Sequence, residues 1–186
     1  LYLNYPQKTP SVCGTLTIRP TLDLGRILGV AKPTPFYYGV FQGYSMPIWN
    51  SDNEELLYRT KIPERWDGVT NPQAIFYTCL MGSEDIDDKF KFQFDAAVVQ
   101  CDNGNLLPID STAYYSEITI LEGKNSQYNI YCINFELNAE NITAGDLAAG
   151  RLRRIDSTGT EVDNEIGVLY FMLEFKTNKI YNRWKW

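Results

Sequence analysis

The segment Lys89 to Val99 (KFKFQFDAAVV) opens with a strict two-residue alternation. Phe90, Phe92 and Phe94 fall on one side of an extended chain, and Lys89, Lys91, Gln93 and Asp95 on the other. A 3.6-residue helix would scatter those phenylalanines around its circumference, so the pattern predicts a β-strand with one buried and one wet face. Other runs of strand length follow the same logic. Leu56 to Ile62 is stopped by Pro63. Gln73 to Met81 (QAIFYTCLM) is nearly continuous in apolar and aromatic residues and predicts a strand buried on both faces. Tyr114 to Leu121, Gln127 to Leu137, Leu147 to Ile155 and Ile166 to Lys176 complete the main set, with a short strand expected at Lys179 to Arg183. In Gln127 to Leu137, the residues Tyr131, Ile133, Phe135 and Leu137 share one face. Turn clusters separate the runs: Asp102-Asn103-Gly104-Asn105, Glu122-Gly123-Lys124-Asn125, Ala144-Gly145-Asp146, and the polar stretch Asp156 to Glu165. Asn138 to Thr143 reads as a single helical turn. Strands of this length with no helix between them predict an all-β, antiparallel β-sandwich, and their long reach fits a jelly roll.

Residues 1–48 differ in composition. Pro6, Pro10, Pro20, Pro33, Pro35 and Pro47 remove backbone donors and restrict their neighbours, which argues against long regular elements. Leu22 to Val30 (LDLGRILGV) has the makings of a short helix, weakened by Gly25 and Gly29. The expected organisation is an extended N-terminal arm with short strands over 1–48, then a jelly-roll domain over 49–186. The chain does not begin with Met, which suggests processing or trimming, and no basic-then-apolar signal segment opens it.

The charge and residue inventory narrows the chemistry. Formal net charge is −6, so an acidic chain of this kind is not expected to hold nucleic acid. Arg151, Arg153 and Arg154 form the one compact basic cluster; the first and second share a strand face, and beside Asp156 the trio reads as a solvated strand end. The absence of histidine removes Ser-His and Cys-His nucleophile pairs and histidine-ligated metals. Neither a Walker-type loop nor a G-x-G-x-x-G loop is present. Glu84, Asp85, Asp87 and Asp88 offer carboxylates for a glycosidase pair or for calcium, but no spacing selects two of them, and a solvated loop is the better reading. Cys13, Cys79, Cys101 and Cys132 lack paired zinc spacing and read as buried free thiols, with a bridge such as Cys79 to Cys101 left open. Asn141-Ile142-Thr143 matches a glycosylation sequon by pattern alone. No apolar run is long enough to span a membrane as a helix, and no cofactor is implied.

Aromatics make up 14% of the chain, including 13 tyrosines, and such rings suit both pleated surfaces and interfaces. Trp66 reads as core. Trp49, Trp184 and Trp186 read as edge or interface residues, subunit packing being preferred over sugar binding.

The stretch Pro63-Glu64-Arg65-Trp66-Asp67-Gly68-Val69-Thr70 is followed by an aromatic strand, an alternating strand, the turn Ala144-Gly145-Asp146, an arginine-bearing strand and a final aliphatic-acidic strand. Over about residues 60–178 this order resembles a group of bacteriophage virion structural proteins with a P-x-x-W-D-G-x-[ST] turn. The resemblance implies a jelly-roll domain of the capsid-decoration, head-fibre or appendage type, located in the virion and made in the host cytoplasm. It also implies assembly with copies of itself, as a homotrimer, and with other virion proteins. Trp66, Asp67, Gly68, Gly145 and Asp146 are then architectural turn residues, and no catalytic residue carries over. The competing expectations are a carbohydrate- or receptor-binding module, with glycan as ligand, and, last, a two-carboxylate hydrolase.

Overall fold

A computed structural model describes residues 14–18, 21–24, 33–47, 55–99 and 111–177. These residues build strands β1 (Gly14–Ile18), β2 (Thr21–Leu24), β3 (Thr34–Tyr38), β4 (Phe41–Met46), β5 (Glu55–Lys61), β6 (Gln73–Leu80), β7 (Lys89–Val99), β8 (Thr112–Thr119), β9 (Ile130–Glu136), β10 (Leu147–Ile155) and β11 (Ile166–Thr177). The one described helical turn, Ala139–Asn141, starts where the Asn138 side chain accepts from the Glu140 amide. The first sheet runs β3-β4-β11-β6-β9, with β1 added to β11, and the second runs β2-β5-β10-β7-β8. Neighbouring strands pair antiparallel throughout both sheets. The all-β sandwich predicted from the alternation is therefore the observed architecture.

The alternation also places the core. Phe90, Phe92 and Phe94 are buried, as are Tyr131, Ile133, Phe135 and Leu137 of the β9 segment. The sheets meet through aromatic rings. Phe76 of the first sheet lies 5.7 Å from Phe94 of the second, and Tyr58 of the second stacks on Phe171 of the first at 4.4 Å.

Two sequence expectations are corrected here. Leu22 and Leu24 lie in strand β2, paired with Tyr58 and Leu56, where a short helix was predicted; two glycines in nine residues leave the helix too weak to compete with that sheet edge. Residues 25–30 lie outside the described set, as does the strand expected at 179–183. The run Gln73 to Met81 is not buried on both faces: Ala74, Phe76 and Thr78 are buried, whereas Gln73, Ile75 and Tyr77 are only half-buried. Its second face lies on the outside of the first sheet, where Cys79 is buried beneath the crevice side chains but no described layer covers Ile75 and Tyr77. The proline-rich segment, expected as an arm with short strands, contributes β1 to β4, all hydrogen-bonded into the two sheets.

Each end of the sandwich is closed by a planar side chain. At one end, Pro63 stops β5 and the chain turns into Trp66, which is 4% exposed and bridges Thr177 at the end of β11. The indole packs edge-on against Phe175 at 6.1 Å and donates from Nε1 to the Thr70 carbonyl at 3.0 Å. Asp67 holds the turn beneath it. One carboxylate oxygen accepts from the Val69 and Thr70 amides at 3.0 and 2.9 Å, and the other from the Thr70 hydroxyl at 2.6 Å. Burial alone would push the Asp67 carboxyl up, but those hydrogen bonds and the charge of Lys176 outweigh it and hold the group below its ordinary range. Gly68 and Gly145 adopt φ of +74° and +94°, which L side chains rarely do. The two turns are tied together: the Ile62 amide donates to the Asp146 carbonyl at 2.7 Å, and the Gly145 amide to the Ile62 carbonyl at 3.0 Å. Asp146 itself is buried and accepts from the Thr143 amide at 3.0 Å.

At the other end sits Arg154, read from sequence as part of a solvated strand end. It is 1% exposed. Residues 148, 150, 152 and 154 of β10 all face inward, so the arginine enters the interior and must satisfy its donors there. It does so on Glu161 (2.6 Å) and on the carbonyls of Asn164 (2.9 Å) and Val162 (3.2 Å).

Truncating Trp66 to Ala should destabilise the protein by about 3–5 kcal/mol in urea titration, because a fully buried indole is lost and the end is left open. Arg154→Ala should cost about 3 kcal/mol, since it strands buried carbonyls and the Glu161 carboxylate together. A loss under ~1 kcal/mol in either case would contradict its role as an end plug.

Candidate functional site

The outer faces of the two sheets have opposite chemistry. On the second sheet, Glu55 of β5 and Asp95 of β7 flank β10 and bracket its two outward arginines. Arg151 reaches Asp95 at 2.6 Å and Glu55 at 3.5 Å; Arg153 reaches Asp95 at 2.9 Å and Glu55 at 3.9 Å. Lys89 pairs with Glu117 at 3.3 Å, and the Lys91 ammonium lies 5.6 Å from the Tyr115 ring centre. Both arginines are held by carboxylates of the same face, so Arg151 and Arg153 are not a free anion site.

Among the described residues, the outer face of the first sheet holds no charged side chain over most of its width. The β3–β4 hairpin turns through Gly39 at φ +58° and Val40, with Tyr38 opposite Phe41. At its tip Tyr37, Val40 and Phe41 are 71%, 95% and 59% exposed. Behind the tip the Phe36 ring lies flat across the sheet. It fits because Gly43 and Gly167 lie beneath it, where an added Cβ would approach ring carbons to 2.7 Å. Tyr38 stacks on Tyr128 at 3.8 Å, and exposed Ile130 lies beside them on β9. Between these side chains is a crevice of ≈ 100 Å³ whose described lining is wholly apolar or aromatic, with the Cys79 thiol and Leu169 in its wall. The surface continues inward through Tyr77 and Tyr170, whose rings are 5.9 Å apart. Charge returns only at its borders, with Glu165 bonded to the Ser45 hydroxyl at one end and Glu136 and Glu174 at the other.

A second concavity, of ≈ 190 Å³, lies between the sheets at the Trp66 end. It exists because the inward ring rows give way to small residues: Ala96 on β7, and Ala148 and Gly150 on β10. Tyr58, Phe94 and Phe171 form its inner wall. The Tyr58 hydroxyl is buried and meets no hydrogen-bond partner among the described residues. Burial, aided by the negative charge of Asp95, pushes this phenol well above its ordinary pKa, so it remains protonated.

The other sequence candidates resolve as follows. Glu84 is 5% exposed and its two oxygens accept from the Asp163 and Asn164 amides at 2.9 and 3.2 Å, a loop-pinning role. Among the described residues no cluster of acidic or sulfur side chains is arranged to hold a metal. Cys79 and Cys132 are both free thiols, the first buried and the second exposed. Trp49, Trp184, Trp186, Cys13, Cys101 and the 102–105 turn lie outside the described residues. The exposed hairpin tip was missed from sequence, although Phe36-Tyr37-Tyr38-Gly39-Val40-Phe41 carries the signal of a two-residue loop between aromatic strands.

Burial pushes the Cys79 thiol up to about 11, against an ordinary 9.0, which lowers its thiolate fraction about a hundredfold near neutral pH. A short iodoacetamide pulse followed by peptide mapping should therefore mark Cys132 and spare Cys79. Equal labelling of the two in folded protein would show that the crevice is not closed over the thiol. No known protein-family model matches this chain, and no curated protein matches it.

Proposed function

We propose that this protein is a virion structural protein of the capsid-decoration, head-fibre or appendage type, acting by assembly rather than catalysis. The observation that carries the reading is the uncharged, aromatic outer face of the first sheet, with Tyr38 and Phe41 exposed beside an apolar crevice. A contiguous apolar surface of this kind is costly in water and marks a protein contact. The occupant we assign is another copy of the chain. At a formal charge of −6, like-charge repulsion opposes self-association over most of the surface, and an uncharged face is where it opposes least. By the family resemblance the closed state is a homotrimer, with other virion proteins as further partners.

The strand order supports a jelly roll. Taking β4 to β11 as first to eighth, the pairs first–eighth, second–seventh, third–sixth and fourth–fifth all hydrogen-bond, and they alternate between the two sheets. That is the order made by rolling one long antiparallel ribbon into two layers. The short strands β1 to β3 then represent the arm laid along this barrel-like body. Tyr37 and Tyr38 also suit the alternative, a carbohydrate- or receptor-binding module. Against it, the described crevice lining supplies no amide or carboxylate to grip sugar hydroxyls.

Light scattering on purified protein at low micromolar concentration should report a closed oligomer. The double substitution Tyr38→Lys, Phe41→Lys should shift it to monomer while leaving the β-type circular dichroism unchanged, since both side chains are more than half exposed. A monomeric wild type, or an oligomer indifferent to the two lysines, would overturn the assignment of this face. Binding on a glycan array that the same lysines abolish would favour the receptor-binding alternative.

A further inference from the structure

We propose that Val40, at the tip of the β3–β4 hairpin, is the knob by which one copy of the chain seats in the aromatic crevice of the next. The inference rests on the assembly reading and assigns its contact to named residues.

The knob comes first. The hairpin turns in two residues, because Tyr38 and Phe41 are the last pair of its ladder. Gly39 takes the positive φ, +58°, that such a turn demands, and Val40 takes none. The backbone therefore asks nothing special of position 40, where turns ordinarily carry Asn, Asp, Ser or Gly. A branched apolar residue stands there instead. At 95% it is the most exposed large hydrophobic residue among those described. Burial against a partner would recover what its hydration costs.

The hole lies behind the knob. Tyr38 and Phe41, on either side of the turn, form part of the crevice wall with Phe36, Tyr128, Ile130 and Leu169. Val40, almost fully exposed, does not fill its own crevice. Size selects the group that enters. The crevice holds ≈ 100 Å³, less than the ~150 Å³ of apolar cavities that take benzene, so it suits an isopropyl group better than a phenyl ring or an indole. Charge selects the same occupant. The described lining carries no charge, and neither does any residue from Phe36 to Tyr44, whereas the chain as a whole stands at −6. An acidic segment seated here would leave a carboxylate dry and unpaired; the hairpin tip brings none. Knob and hole lie on one chain, which makes the contact self-complementary: Val40 of each copy meets Ile130 and Leu169 of another.

The test uses two variants of the intact chain, each carrying Cys132→Ser to remove the exposed thiol beside the crevice. One adds Val40→Cys and the other Ile130→Cys, both at exposed positions. Mixed and mildly oxidised, they should give a linked dimer that peptide mapping assigns to positions 40 and 130. Val40→Thr keeps the side-chain shape and removes its apolar character. It should raise the concentration needed for association about tenfold in light scattering, with an unchanged circular dichroism spectrum. An oligomer that yields no link between positions 40 and 130, or is indifferent to Val40→Thr, overturns the knob and leaves the assembly reading standing. A link found only between two position-40 thiols means that the tips meet each other and also overturns it. A wild type that stays monomeric overturns both.

Discussion

Phe76 touches the rings of Tyr58, Phe94, Phe135 and Phe171, and through them the inner strands of both sheets. Each such ring pair adds on the order of 1 kcal/mol beyond its buried area, and together they fix how far apart the sheets lie. Everything else about the molecule is arranged around that spacing. Where the rings end toward Arg154, a guanidinium spans the gap and ties strand β10 to the 161–164 loop. Where they end toward Trp66, alanine and glycine replace them and a cavity opens before the indole closes the turn.

Because the inner faces supply the cohesion, the outer faces are free to differ, and they do. One is a lattice of matched charges whose arginines are held by Glu55 and Asp95, so it presents neither a strong field nor an apolar surface. The other has almost no charge and a hairpin of exposed rings at one corner. A chain that needed only to remain dispersed would have no use for the second face. The asymmetry is the feature on which the proposed assembly role rests.

Much of this was legible from residue order. The bounds of β7 and β10 and the helical turn after Asn138 follow from local rules of alternation and turn chemistry, whereas the turn residues Trp66, Asp67 and Gly145 were singled out by the resemblance. What local rules miss is which layer covers a face. The run Gln73 to Met81 is apolar on both sides, and nothing in it says that one side lacks a covering layer. Arg154 shows the converse: parity sets it on the face opposite Arg151 and Arg153, but only strand pairing over long separations reveals that this face is inward and that carbonyls and the Glu161 carboxylate make its burial tolerable. Phe36 is a third case. Its place depends on Gly43 and Gly167, the second of them far away in sequence, lining up beneath one ring.

The pairing of β11 with β6 slips by one residue between Val168 and Tyr170, leaving Leu169 without an opposite number. Before the slip the inward residues are Ile166 and Val168; after it they are Phe171, Leu173 and Phe175. Excising Leu169 would therefore leave every other residue of the strand facing as it does now, with an unbroken ladder. The sheet has no need of this leucine, yet it is retained in the wall of the aromatic crevice. The extra residue thus alters the outside of the sheet alone, adding a side chain to the crevice wall while the inward register on either side of it is kept.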